Sequence, residues 1–140
     1  MNTELFSHIH WLAVIVAGIA YFLICGLWYS KALFGTQWAS LQKMDMNDPA
    51  MKKGVGVIMF YSFILMLFTV IGLAILVVRM DITLLSGAFK LGLLTGLLFS
   101  VTAVSISFVY EKKPMALHFI TGGYLVLGNI VASIILVSWR

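Results

Sequence analysis

Long apolar segments separated by short charged ones form the main pattern of this chain. The longest segments without Asp, Glu, Lys or Arg are 5–30, 54–78, 91–110 and 114–139. Each has at least about 20 residues, the length that an α-helix needs to cross the hydrocarbon core of a bilayer. The pattern predicts an all-α polytopic membrane protein with a single domain, a four-helix transmembrane bundle. The expected spans are 9–29, 50–78, 86–109 and 114–138.

Small residues recur along one side of the third predicted span. Ala88, Gly92, Gly96 and Ser100 follow one another at every fourth position. In a helix this spacing places them on one stripe, where another helix can come close enough for dispersion contacts. We therefore expect the stretch from Ala88 to Ser107 to be the centre of the packing, with Gly128 and Ala132 as packing residues of the fourth span. The pattern leaves open whether the stripe packs within one chain or between two.

The first connection, from Ser30 to Lys53, is polar but carries hydrophobic positions at steps of three and four. These positions are Leu33, Phe34, Trp38, Leu41 and Met44, with Gln37, Ser40 and Lys43 on the opposite side. The pattern predicts a short amphipathic helix lying in the headgroup plane and broken at Gly35. An ordinary loop packed over the mouth of the bundle is the alternative.

Cap residues indicate where two of the spans begin. Asp48 can cap a helix whose first residue is Pro49. Proline suits this position because the N–H that it lacks would have no partner within the first turn. We expect this second helix to continue from there to Val78. Asp81 or Thr83 is the candidate cap of the third span.

Composition agrees with a bilayer as the solvent. Hydrophobic residues make up 62% of the chain, charged residues only 10%, and the mean hydropathy is +1.08, whereas a soluble domain carries far more charge. The net charge is +4, but Lys and Arg are scattered over short loops, which is typical of topology signals rather than of nucleic-acid binding. Cys25 is the only cysteine, so no intrachain disulfide is expected.

The distribution of basic residues predicts the orientation. The first and third connections hold six of them, Lys31, Lys43, Lys52, Lys53, Lys112 and Lys113, and the opposite side holds three, Arg79, Lys90 and Arg140. Because basic loops stay in the cytoplasm, both termini are expected outside. The apolar run of the first span is too long for a cleaved signal peptide, and we expect it to be retained.

Several motifs resemble those of a bacterial family of membrane proteins of unknown function. They are Trp11-Leu-Ala-Val, Leu27-Trp28-Tyr29-Ser30 followed by Leu33-Phe34-Gly35 and Trp38, and Glu111 to Pro114 leading to Gly123-Tyr124. The resemblance covers nearly the whole chain. It implies a four-helix protein of the bacterial inner (cytoplasmic) membrane and implies no chemistry.

Polar residues in or near the spans are candidates for a polar pathway or pocket. They are Lys90, Thr95, Thr102, Asn129, Tyr124 and His118. Lys90 is either functional, because a charge in the membrane is costly, or its long stem reaches the outer interface or pairs with Asp81 or Glu4. Asn129 either bonds hydroxyl groups of the third helix as a structural link or lines a pathway. His118 is either a proton carrier or an interface anchor.

Metal binding and catalysis are not expected. His8 and His10, with Glu4, invite a metal interpretation, but histidines two positions apart point to different sides of a helix. The sequence has no nucleophile with a histidine and an acid at a recognisable spacing, no phosphate-binding glycine loop and no pair of carboxylates within a span. We therefore expect neither an enzyme nor a cofactor.

Two functional hypotheses remain. The first is a homo-oligomeric module that binds or moves a small solute or ion, with the path at subunit contacts. The alternative is a non-transporting accessory or lipid-binding membrane protein. A polar stripe continuous through Lys90, Thr95, Thr102 and Asn129 would favour the first, and mutually satisfied polar groups would favour the second. The expected partners are the lipid bilayer, further copies of the chain and bound lipid, without nucleic acid.

Overall fold

The chain is helical throughout the parts that the computed structural model describes, residues 3–44 and 49–139. The helices are α1 (Glu4–Ser7), α2 (Trp11–Trp28), α3 (Gly35–Leu41), α4 (Pro49–Lys52), α5 (Val55–Arg79), α6 (Leu85–Thr95), α7 (Thr102–Tyr110) and α8 (Met115–Ser138). A π-helical segment, Gly96–Val101, joins α6 to α7. These three pieces form one long helix, so four helices in the described ranges are long and apolar enough to cross a membrane. The predicted four-helix membrane fold is confirmed.

The last helix, α8, is the centre of the bundle. It packs against α2, against α5 and against the third long helix, Leu85–Tyr110. Half of the most apolar part of α8 is buried, compared with 17% for the third long helix. The expectation that the stretch from Ala88 to Ser107 is the centre of the packing is therefore wrong. Its small-residue stripe supplies only one close-packed face, whereas α8 has neighbours on several sides.

The tightest packing lies in the half of the bundle that carries the chain termini. The core consists of Ile9, Ala13, Val14, Ala17, Tyr21, Met66, Val70, Leu73, Ala74, Val77, Ala88, Leu91, Ala132, Leu136 and Val137. These residues come from the beginning of α2 and α6 and from the end of α5 and α8. Toward the opposite end the helices present more of their surface outward, and α7 has no buried residue. We call this opposite end the looser half of the bundle.

The third long helix begins after the residues that the sequence suggested as its N-cap. Leu84 is its N-cap residue, and the side chain of Leu84 makes no cap hydrogen bond. Asp81 instead adopts a left-handed φ of 48° in the turn after α5, a conformation that Asp tolerates better than most residues. The prediction of a cap at Asp81 or Thr83 is wrong, because this part of the chain forms the turn and the helix starts only at Leu85.

The second span is preceded by a break. Pro49 is the first residue of α4, as expected, while the predicted cap Asp48 lies outside the described residues. Gly54 has a φ of +77°, which glycine adopts without steric cost. The expectation of an unbroken helix from Pro49 to Val78 is wrong, because this glycine redirects the chain and α5 begins at Val55.

The first connection contains the short helix that the sequence predicts. It starts at Gly35, where a break was expected, and it packs against α8 with Ala39 buried and Trp38 half-buried. A β-carbon at Gly35 would lie 2.8 Å from the carbonyl oxygen of Ser30, so the tight turn before α3 requires glycine. The position of α3 in the headgroup plane stays a prediction.

Candidate functional site

A hydrogen-bond network inside the bundle joins three of the four long helices. Asn129 on α8 is 1% exposed, and its Nδ2 donates to Tyr21 Oη at 3.0 Å and to the carbonyl of Leu125 at 2.7 Å. The hydroxyl of Thr95, on α6, has two acceptors for its one proton, the carbonyl of Leu91 at 2.8 Å and Asn129 Oδ1 at 3.2 Å. Ser100 Oγ lies 3.5 Å from the same Nδ2. The buried amide therefore has partners for its oxygen and its nitrogen, as a low-dielectric interior requires.

Glycines bring the backbones close enough for this network. A β-carbon at Gly92 would overlap the backbone of Ile130, and one at Gly96 would lie 2.8 Å from Cα of Val126. The stripe thus packs within the chain, against α8. At Gly128 a β-carbon would lie 2.6 Å from the ring of Tyr21, so this glycine lets the ring lie against α8.

Ala88 and Ala132 extend the same close packing toward the end of the bundle that carries the termini, and both are 0% exposed. Beyond the π-helical segment the small residues Ala103 and Ser107 are exposed. The wider turn of a π-helix shifts the residues that follow it around the helix axis. The stripe is consequently buried in α6 and turns outward in α7.

The end of α2 is attached to α8 through two aromatic side chains. Trp28 Nε1 donates to the carbonyl of Ile120 at 2.7 Å, and Tyr29 Oη donates to Thr121 Oγ1 at 3.2 Å. The ring of Phe34 lies 4.6 Å from that of Trp28. The Leu-Trp-Tyr-Ser motif and the Leu-Phe-Gly motif therefore act together in docking the first connection on α8.

Aromatic rings continue from this connection into the bundle. Trp38 on α3 meets Tyr29 edge-on with centroids 5.5 Å apart, Tyr29 meets Tyr124 at 5.3 Å, and Tyr124 meets Tyr21 at 6.5 Å. These spacings are those of favourable aromatic pairs. The chain of rings leads from the first connection to the hydroxyl of Tyr21, where the network of Asn129 begins.

A groove of ≈ 560 Å³ lies on the surface between the third long helix and α8, which we call the lipid-facing groove. Its walls are mainly apolar, and they include Leu97, Val101, Met115, Phe119, Val126 and Ile130. In the part of the chain that the structure describes, the polar side chains that line it are Ser105 and His118. The groove exists because α7 diverges from α8 after the close contact at Gly92 and Gly96.

His118 lies at the end of the lipid-facing groove near the start of α8. Its ring meets Phe108 edge-on with centroids 5.3 Å apart, and the side chain is half-buried. The histidine is separated from the network of Asn129, which lies about 16 Å farther along α8 at 1.5 Å per residue.

The structure does not join the six candidate polar residues into one pathway. Thr95 and Asn129 bond each other, Tyr124 lies one turn away toward α2 and α5, and His118 is in the groove. Thr102 is exposed and donates its hydroxyl to the carbonyl of Leu98 at 2.6 Å. The continuous polar stripe that would favour solute movement is absent from the described residues.

Lys90 lies on the outside of the bundle, exposed. Because α6 begins only at Leu85, its Cα is about 8 Å from the start of the helix at a rise of 1.5 Å per residue. A lysine stem can bridge such a distance and carry the ammonium to the interface.

The histidines near the N-terminus take structural positions. His10 Nδ1 accepts a hydrogen bond from the N–H of Ala13 at 3.3 Å and so caps α2. Its ring stacks on Trp139 with centroids 5.7 Å apart. His8 is exposed. No group of three or more metal-ligating side chains occurs among the described residues.

Sequence reasoning missed Tyr21 as a member of the network. The signal was present, because a tyrosine in the middle of an apolar span needs a partner for its hydroxyl. The partner, Asn129, was identified as a residue that would bond the third helix, but no local pattern showed that it faces the first helix as well. The roles of Trp28, Tyr29 and Trp38 were signalled only by the family motifs.

Comparison with known proteins gives one match. No curated protein and no solved structure matches the chain. Residues 12–137 match the family of proteins of unknown function DUF1761, which covers all four long helices except the ends of the first and the last. On this evidence the chain belongs to the DUF1761 family of proteins of unknown function.

Proposed function

We propose that the protein binds lipid, and that the lipid-facing groove holds one acyl chain of an anionic phospholipid. The groove itself carries the proposal: it offers ≈ 560 Å³ of mainly apolar surface on the outside of a membrane protein. An acyl chain is the molecule that such a surface meets in a bilayer. The protein is then a non-transporting, non-catalytic binding or accessory protein that needs no cofactor and no nucleic acid.

The lipid-facing groove is longer than one leaflet of the hydrocarbon core is thick. Its lining residues on α8 extend from Met115 to Ile130, which corresponds to about 22 Å at a rise of 1.5 Å per residue. Half of the hydrocarbon core is about 15 Å thick. An acyl chain that enters from the side of Met115 can therefore lie within the groove over its whole length.

Basic residues lie where the headgroup of this lipid would be. Lys112 is exposed in the turn before α8, while Lys113 Nζ donates to Gln42 Oε1 at 2.8 Å and ties this turn to the first connection. Lys112 makes no such bond with a described residue and is the more exposed cation of the two, although Lys113 keeps its charge and two further donors. A basic residue near an anionic surface contributes about 1 kcal/mol. With both termini outside a bacterial inner membrane, this end of the groove faces the cytoplasmic leaflet.

The buried polar groups favour binding over conduction. Asn129 is enclosed by its partners, and Lys90 and Thr102 lie on the outer surface. A solute that crossed the bundle would have to break bonds of Asn129 in a medium without water to replace them, which is costly.

Native mass spectrometry tests the proposal. The protein is released from nanodiscs made of equal parts of phosphatidylcholine and phosphatidylglycerol, and the retained lipid is identified. We expect retained phosphatidylglycerol. Ser105→Phe fills the groove and should abolish retention, whereas Ser107→Phe, the same change on the exposed side of α7, should leave it intact. Lys112→Gln should remove the preference for phosphatidylglycerol over phosphatidylcholine.

Equal retention by the two serine variants, with helical content unchanged by circular dichroism, would contradict the groove as the site. Retention without any headgroup preference in the unmodified protein would contradict the role of Lys112.

A second candidate function is a homo-oligomer that moves a small solute at subunit contacts. The observation that favours it is the exposed pair of small residues on α7, Ala103 and Ser107, since small residues allow helices of two copies to approach closely. The same mass spectra report the oligomer mass. Ala103→Leu should shift an oligomer toward monomer and abolish solute flux in proteoliposomes, and a monomeric unmodified protein would exclude this candidate.

A further inference from the structure

A second cavity, which we call the tyrosine pocket, lies between α2, α5 and α8 in the looser half of the bundle. Its volume is ≈ 220 Å³, and the side chains at its wall include Tyr21, Cys25, Ser62, Met66, Thr69 and Tyr124. Leu65, which is 65% exposed, stands at its edge and marks the opening toward the outer surface. The tyrosine pocket is separate from the lipid-facing groove, which lies on the other side of α8.

The two aliphatic hydroxyl groups at the wall both donate to the backbone. Ser62 donates its proton to the carbonyl of Ile58 at 2.9 Å, and Thr69 donates to the carbonyl of Leu65 at 3.3 Å. Both oxygens keep lone pairs that can accept a hydrogen bond. The hydroxyl protons of these two residues are thus already used in hydrogen bonds to the backbone of α5.

The hydroxyl groups of the two tyrosines differ in their hydrogen bonds. Tyr21 Oη donates to the carbonyl of Leu125 at 3.3 Å and accepts from Asn129. Tyr124 makes ring contacts with Tyr21 and Tyr29, but none of the described residues hydrogen-bonds its hydroxyl. The O–H of Tyr124 is therefore the strong donor that remains for a ligand at this wall, since the free thiol of Cys25 is only a weak donor.

The wall of the pocket also restricts the charge and the size of a ligand. Among the described residues no Asp, Glu, Lys, Arg or His lines it, so an ionic group would lose its hydration without gaining a counter-charge. A protein cavity of about 150 Å³ accepts benzene, and a space of ≈ 220 Å³ accepts a six-membered ring with a small substituent. The rings of Tyr21 and Tyr124 provide aromatic surface for it.

From these features we infer that the tyrosine pocket binds a neutral, membrane-soluble ring compound with a carbonyl group, which accepts a hydrogen bond from Tyr124 Oη. The carbonyl supplies the acceptor that Tyr124 lacks, and the ring occupies the apolar remainder between Met66 and Leu65. A donor on the ligand finds the lone pairs of Ser62 and Thr69. This site goes beyond the lipid-binding function, because it lies on another face of α8 and recognises a different chemical group.

A matched pair of fluorinated probes tests the inference. The probes are 4-fluoroacetophenone, which has the carbonyl, and 4-fluoroethylbenzene, which has the same ring without it. Fluorine NMR titrations in detergent, corrected for micelle partitioning with protein-free samples, report the affinity of each. We expect the carbonyl probe to bind more tightly. Tyr124→Phe keeps the ring and removes the donor, so it should weaken the carbonyl probe about three- to tenfold and leave the other unchanged.

Two further variants complete the test. Tyr61→Phe removes the hydroxyl of an exposed tyrosine on α5 and should change neither affinity. Ser62→Leu fills the cavity and should abolish binding of both probes, while Ser105→Phe in the lipid-facing groove should not. Equal affinities of the two probes in the unmodified protein, an unchanged affinity in Tyr124→Phe, or binding that survives Ser62→Leu would each overturn the inference.

Discussion

Asn129 Nδ2 lies 3.0 Å from the phenolic oxygen of Tyr21 and donates a hydrogen bond to it, although the two residues are 108 positions apart. The bond joins the first long helix to the last. Gly128 permits it, because the Tyr21 ring occupies the space that a β-carbon would need there. Since Thr95 bonds the oxygen of the same amide, one side chain sets the rotation of α8 relative to two neighbours.

Removing the Tyr21 hydroxyl should loosen this junction. Tyr21→Phe keeps the ring against Gly128 and deletes one partner of Asn129, so we expect the free energy of unfolding to fall by about 1 kcal/mol. Unfolding in mixed micelles with increasing sodium dodecyl sulfate, followed by circular dichroism, measures it. Tyr61→Phe is the matched control, because Tyr61 is exposed. An equal effect of the two variants would show that the bond adds nothing to stability.

The glycine stripe of α6 should tolerate no side chain at its centre. Gly92→Leu places a side chain against the backbone of Ile130, and such overpacking costs about 1–3 kcal/mol. We expect the third long helix to move away from α8 and the unfolding transition to shift accordingly. Gly72→Leu is the control, since a β-carbon at Gly72 meets nothing within 4 Å. If both variants unfolded at the same denaturant fraction, the close contact between α6 and α8 would be refuted.

Replacing Gly54 or Gly56 by alanine should change the stability of the protein in opposite directions. Neither β-carbon would meet another atom within 4 Å, but Gly54 has a φ of +77° while Gly56 lies within α5. Gly54→Ala should destabilise the protein by about 1–2 kcal/mol, the cost of a left-handed alanine. Gly56→Ala should stabilise it by up to about 1 kcal/mol through helix propensity. Thermal unfolding of both variants gives the comparison, and a stabilising Gly54→Ala would show that α4 and α5 can join.

The orientation in the membrane is tested by labelling single cysteines. In a Cys25→Ala background, cysteines replace Thr3 or Asn47, of which Asn47 lies outside the described residues. We expect a membrane-impermeant maleimide to label Thr3→Cys from outside and Asn47→Cys only after permeabilisation, because the first connection is the more basic side. Labelling of Asn47→Cys on intact cells would reverse the assignment.

The family membership and the four spans were predictable from the sequence. Uncharged runs such as 54–78 are long enough to cross a bilayer whatever surrounds them, since the partition of an apolar helix into lipid depends on its own composition. The bond between Asn129 and Thr95 was also among the expected ones, because both residues lie in apolar spans and need partners.

The sites were less predictable. The lipid-facing groove results from the divergence of α7 from α8, and the π-helical segment at Gly96–Val101 contributes to it; no sequence pattern marked that segment. The tyrosine pocket combines residues of three helices, among them Cys25, Ser62 and Tyr124. Each of them taken alone is an ordinary residue of an apolar span.

By itself the sequence determined that this protein has four membrane helices and that Gly92 and Gly96 form a close-packing face. Hydrophobic length and residue spacing are properties of one segment, so they act before any two helices meet. Only the tertiary structure decided that α8 is the central helix and that Asn129 bonds Tyr21 as well as Thr95. Those outcomes depend on which faces meet, and a face is selected by its fit to the other three helices rather than by its own composition.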